Sequence, residues 1–110
     1  MEAQKARNIK IKTGSCKRIL CDYNSYIKEV EDQKKRIEKM KEDKADPYDI
    51  KKQYEVLEES VHMIGDSKTR LQDAIDALEG CIAEFEGVEI ESKEIDDAKA
   101  ILEKAKEVFA

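Results

Sequence analysis

The side chains that usually do chemistry are sparse and scattered in this chain: three cysteines, one histidine and many carboxylates among 110 residues. A metal site needs ligands at spacings that one turn or loop can gather, such as CxxC or HExxH. His62 has no cysteine near it in sequence and no HExxH around it, so it reads as a solvated or half-buried helical histidine. Cys16, Cys21 and Cys81 form an odd set without a CxxC pair, which fits a reduced, intracellular protein better than a disulfide scaffold. The phosphate-cradling patterns GxxxxGKS and GxGxxG are missing. Carboxylates are plentiful, but a charged helix face supplies such pairs without catalytic purpose. The sequence therefore predicts no catalytic residue, no metal and no cofactor. What it predicts is a protein that is not an enzyme and acts by binding.

Charge is distributed unevenly. Residues 1–45 hold 13 Lys/Arg against 8 Asp/Glu (+5), and residues 46–110 hold 8 against 18 (−10), which sum to the net −5. Between Lys5 and Arg18 there are six basic residues and no acid. Two readings fit: a surface for an acidic partner or nucleic acid, or a basic helix packed beside acidic ones. The acidic remainder and the lack of interleaved aromatics argue against nucleic acid. MEAQKARNIKIK lacks the apolar core of a signal peptide, and no apolar run approaches membrane-spanning length. A soluble, cytosolic protein is expected.

These residues must be carried by long helices. NIKIKT alternates like a strand, but the seven-residue spacing of Ile9, Cys16, Tyr23, Val30 and Ile37 belongs to a helical seam. Ile19, Tyr26 and Met40 form a companion series, with Lys12 and Gln33 as its polar members, and Leu20 and Ile27 widen the stripe. A first helix over about 4–43 follows, weakened at Gly14 by about 1 kcal/mol. The pattern restarts after Asp46. Ile50, Leu57, Ile64, Leu71, Leu78 and Phe85 stand seven apart, interleaved with Tyr54, Val61, Lys68, Ile75 and Ile82. This predicts a second helix over about 47–86, with a kink or short break near Gly65, which Asp66 and Ser67 follow as cap-like residues.

The chain's one proline marks the turn between these helices. Asp46 is placed to cap the second helix, Pro47 takes the first helical position, where its missing N–H costs nothing, and Asp49 sits where a capping-box acid belongs. Gly87 suits the end of the second helix, 87–91 form a short connection, and Ser92 is a plausible N-cap for a third helix over about 92–109. Its seam is Ile95, Ala98, Leu102, Ala105 and Phe109, flanked by Ile101 and Val108. The expected fold is all-α: one domain over 1–110, an elongated antiparallel three-helix bundle with coiled-coil-like seams, two helices long and one short. The short helix can cover only part of the groove between the others. Ile11, Val56 and Met63 lie off the seams and are the apolar candidates for a contact surface.

The same segments resemble a known family. The opening NIKIKTGSCKRIL, the Tyr26–Glu29 block, IEKM at Ile37–Met40, DPYDIKKQ and the VLEES run resemble, in order, the tubulin-specific chaperone A (tubulin-folding cofactor A) family. DPYDIKKQ is the most specific of them, since capping accounts for Asp46 and Pro47 but not for the whole string. The last 25 residues match in character only, and Gly65 stands where much of the family is expected to have proline. The resemblance implies a cofactor-free three-helix protein of the cytoplasm, associated with the cytoskeleton. It would capture and hold β-tubulin released by the cytosolic chaperonin, and reach the downstream tubulin-folding cofactors indirectly, as a monomer or a homodimer. The rival is a generic helical scaffold such as a spectrin-like repeat; the missing Trp in the first helix and the DPYD turn count against it. Tubulin is strongly acidic, so the expected contact residues are Lys10, Ile11, Lys12, Lys17 and Arg18 on the first helix, and Tyr48, Lys51, Lys52, Val56 and Met63 on the second.

Overall fold

The computed structural model describes residues 2–84 and 93–110, with side chains from residue 4 onward. Three helices account for nearly all of them: α1 Glu2–Glu42, α2 Pro47–Ala83 and α3 Lys93–Glu107. Among the described residues there is no strand. NIKIKT lies within α1, with Ile9 fully buried and Ile11 exposed. A strand would place both on one face; a helix separates them by more than half a turn. Phe85, Gly87, the 87–91 connection and the cap expected at Ser92 lie outside the described residues.

The α1–α2 turn is secured at both ends by backbone chemistry. At the end of α1 the Ala45 N–H donates to the Met40 carbonyl at 2.9 Å and the Lys44 N–H to the Lys41 carbonyl at 3.2 Å. This pair of bonds closes the helix end through a left-handed residue, usually glycine. Here that residue is Lys44, with φ at 55°. At the start of α2 the Asp46 carboxylate accepts from the Tyr48 N–H at 2.9 Å, and the Asp46 carbonyl accepts the first helical bond from Ile50 at 3.1 Å. Pro47 is the first residue of α2, and Asp49 lies in its first turn, where a negative charge meets the positive helix end.

The chain packs as two units, one from Met1–Cys21 with Thr69–Ala110, the other Asp22–Lys68. The first joins parts of all three helices. Ile9, Cys16 and Leu20 from α1, Leu71, Ile75 and Leu78 from α2, and Ala98, Leu102 and Ala105 from α3 form one buried cluster. Ile19, Ile82, Ile95, Ile101 and Val108 pack around it. Fully burying an aliphatic side chain of this size contributes about 1.5–3 kcal/mol. Phe109, expected on the α3 seam, is instead 42% exposed. α3 has ended at Glu107, and Val108, Phe109 and Ala110 donate to carbonyls three residues back, a tighter winding that shifts Phe109 off the seam.

The second unit contains only α1 and α2. Val30, Gln33 and Ile37 are buried on the α1 side, while Ile50, Leu57 and Ile64 of α2 are half-buried. Gln33 donates through Nε2 to the Gln53 amide oxygen and, at 3.4 Å, to the Gln53 carbonyl, while its own Oε1 accepts from Arg36 Nη1 at 3.4 Å. A buried amide with its partners satisfied fixes which residues face each other across a seam. Tyr54 and Val61, expected in the seam, are 40% and 50% exposed. A pair of helices buries a narrower stripe than three do, and these residues fall just beyond it. α2 also passes through Gly65 without a break, and Ser67 is buried rather than opening a new helix.

Candidate partner-binding surface

Each residue expected to meet a partner is exposed. On α1 these are Lys10, Ile11, Lys12, Lys17 and Arg18. Helical spacing sorts them into stripes. Lys10 and Lys17 share one stripe, and Ile11 and Arg18 the neighbouring one, so four of the five lie on the outer side of α1. Lys12 falls on the other flank, beside the seam. Ile11 is 56% exposed, an apolar side chain on a stretch of α1 whose charged residues are all basic.

On α2, Tyr48, Lys52, Val56 and Met63 follow one outer stripe, with Lys51 at its edge. The Lys52 ammonium sits 4.8 Å from the centre of the Tyr48 ring, a cation–π contact that holds the tyrosine along the helix. Next to this stripe Glu55, Glu58, Glu59 and His62 make an acidic flank that reaches Met63. His62 Nε2 stands 3.8 Å from the Asp66 carboxylate, one turn on and in solvent.

A further surface was not expected from the sequence. Lys34, Ile37, Glu38, Lys41, Tyr54 and Leu57 line an open groove of about 320 Å³ between α1 and α2 in the second unit. The Lys41 ammonium lies 5.0 Å from the centre of the Tyr54 ring. Its legible signal is Lys34 and Lys41, which follow Leu20 and Ile27 at the same heptad position of α1.

The described cysteines differ in their surroundings. Cys16 is buried in the first unit's core and burial pushes its thiol pKa up, which keeps it protonated and a weak nucleophile. Cys81 is half-buried beside the same core and Cys21 is exposed. Among the described residues no group of three or more His, Cys, Asp or Glu is placed to hold a metal ion, and no helix is long and apolar enough to cross a membrane. Extended helix surface is what the molecule offers.

Known proteins share this arrangement. The family described as tubulin binding cofactor A matches residues 4–102. The tubulin-folding cofactor A of Arabidopsis thaliana is 49% identical over 94 residues, covering 84% of this chain and 83% of that protein. The crystal structure of tubulin folding cofactor A from Arabidopsis thaliana superposes with a TM-score of 0.91 at 44% identity, over 96% of this chain and 98% of that one. RBL2P, described as a β-tubulin binding post-chaperonin cofactor, superposes with a TM-score of 0.78 at 31% identity, over 91% of this chain and 95% of its own.

Proposed function

Because the chain belongs to the tubulin binding cofactor A family, we propose that it captures β-tubulin released by the cytosolic chaperonin and holds it ahead of αβ-heterodimer assembly. The observation that carries this reading is its likeness, in fold and at 31% identity, to a β-tubulin binding post-chaperonin cofactor. A holding protein needs an extended surface and moderate affinity, so that its client can leave. That suits helices with exposed basic and apolar stripes. The protein uses no nucleotide, metal or cofactor of its own, does not bind nucleic acid or membrane, and works in the cytoplasm beside the cytoskeleton. Its exchange with downstream tubulin-folding cofactors is indirect, through the client.

Contact is assigned to Lys10, Ile11, Lys12, Lys17 and Arg18 of α1 and to Tyr48, Lys51, Lys52, Val56 and Met63 of α2. The basic residues steer an acidic client in and the apolar ones hold it. The test is capture of purified β-tubulin, α-tubulin and RNA by the full chain. Preferential retention of β-tubulin is expected; retention of none of the three would return the protein to a generic helical scaffold. Reversing the charge of Lys10, Lys12 and Lys17 should slow capture and flatten its salt dependence while leaving the helical melting curve unchanged.

A further inference from the structure

The groove in the second unit is defined by heptad register. Along α1, Leu20, Ile27, Lys34 and Lys41 stand seven apart; along α2, Tyr54, Val61, Ile75 and Ile82 keep the same spacing through Lys68. In the first unit the members of these two series, Leu20, Ile75 and Ile82, pack in the cluster that includes Ala98, Leu102 and Ala105 of α3. In the second unit the same positions hold Ile27, Lys34, Lys41, Tyr54 and Val61, and α3 has no part in that unit. There Tyr54 and Val61 are 40% and 50% exposed above the half-buried Leu57 and the buried Ile37. The positions that receive a helix in one unit are thus open in the other, and along α1 they have changed from aliphatic to cationic.

We propose that this groove receives an amphipathic helix of the client, laid along Ile37, Tyr54, Leu57 and Val61 with acidic residues flanking its apolar stripe. This rests on the reading of the chain as a β-tubulin holder and adds where, and through what element, the client docks. The shape argument is the place α3 occupies at the equivalent heptad positions. The charge argument is Lys34 and Lys41, two exposed ammonium groups on the α1 wall with Glu38 as the single acid of the lining. A helix with acidic flanks meets both lysines; a basic one would be repelled. Lys41 over Tyr54 keeps the aromatic face at the groove's edge, where it can close over an incoming side chain.

The test measures β-tubulin retention by full-length variants whose helical melting curves match the unmodified protein. Val61→Glu, and the pair Lys34→Glu with Lys41→Glu, should each weaken retention at least tenfold. Glu38→Lys should tighten it about threefold by removing the one acid of the lining, whereas Glu103→Lys, the same charge change on exposed α3, should stay within twofold. If the groove variants retain β-tubulin as well as the unmodified chain, the groove proposal falls and the holder reading stands. If the unmodified chain retains no β-tubulin, both fall. Sedimentation at several concentrations supplies the remaining arm: a dimer that Val61→Glu dissociates would show that a second copy occupies the groove, and would overturn the proposal.

Discussion

Tyr54 and Ile75 occupy the same heptad position of α2, three heptads apart, yet Tyr54 is 40% exposed and Ile75 is 2% exposed. The difference separates the molecule's two units. Around Ile75 a third helix completes the packing, and the buried residues form an aliphatic cluster with one thiol. Around Tyr54 there are only two helices, and the seam contains a hydrogen-bonded glutamine pair. One unit is organised to stay closed. The other keeps part of its apolar stripe accessible, at Tyr54 and Val61.

The largest expected effect tests this contrast directly. Leu78→Ala in the three-helix unit should cost about 2–5 kcal/mol, the usual range for a fully buried leucine, while Leu57→Ala in the two-helix unit should cost clearly less because its side chain is only half-buried. Urea titrations of both variants would show it, and equal losses would erase the distinction. Next comes the amide pair. Gln33→Ala leaves Gln53 without its buried partner and should cost about 1–3 kcal/mol, whereas Gln33→Leu should cost less than the alanine and loosen the α1–α2 register. Denaturation midpoints give the first comparison, and cross-linking between cysteines placed on facing helices gives the second.

Effects at the turn should be smaller. Asp46→Ala removes the oxygen that accepts from the Tyr48 N–H and should lower stability by about 1 kcal/mol. Lys44→Gly should raise it by about 1 kcal/mol, because glycine adopts the left-handed conformation at 55° without a Cβ clash. Both act within the two-helix unit and should alter hydrogen exchange there before they alter it in the three-helix core. Smallest of all, Gly14→Ala and Gly65→Ala each have open space for the added Cβ and should each stabilise by about 0.5–1 kcal/mol. Of these two positions Gly14 lies in the three-helix unit and Gly65 in the two-helix unit, so matching gains in thermal melts would show that helix propensity acts locally whatever the packing around it.

Much of this architecture was legible before any coordinates. The heptads of Ile9 to Ile37 and Ile50 to Leu78 place two long helices, and Asp46-Pro47 places the turn between them, because periodicity and capping depend on residues within a few positions of one another. The turn's other half was not legible. Its left-handed residue is a lysine, and only the carbonyl bonds from Lys44 and Ala45 reveal it. Of the kink or short break expected near Gly65, the break does not occur, because about 1 kcal/mol of glycine penalty does not interrupt a helix that continues on both sides of it. Among the candidate contact residues, exposure follows from lying off the seam for all but Lys12, a polar member of the companion series that is exposed all the same and that helical phase sets apart from the other four of α1.

The sequence by itself therefore determined the helices, their boundaries to within a few residues, the turn and the family, since these reside in local pattern and in ordered motifs. The tertiary structure decided which members of a uniform heptad are core and which are surface. Burial depends on what covers a stripe, and α3 covers the stripe at Ile75 and Ile82 but not at Tyr54 and Val61. No local pattern can distinguish those positions, because the α3 residues that make the difference, Ala98, Leu102 and Ala105, lie on another helix, well beyond one heptad away in the chain.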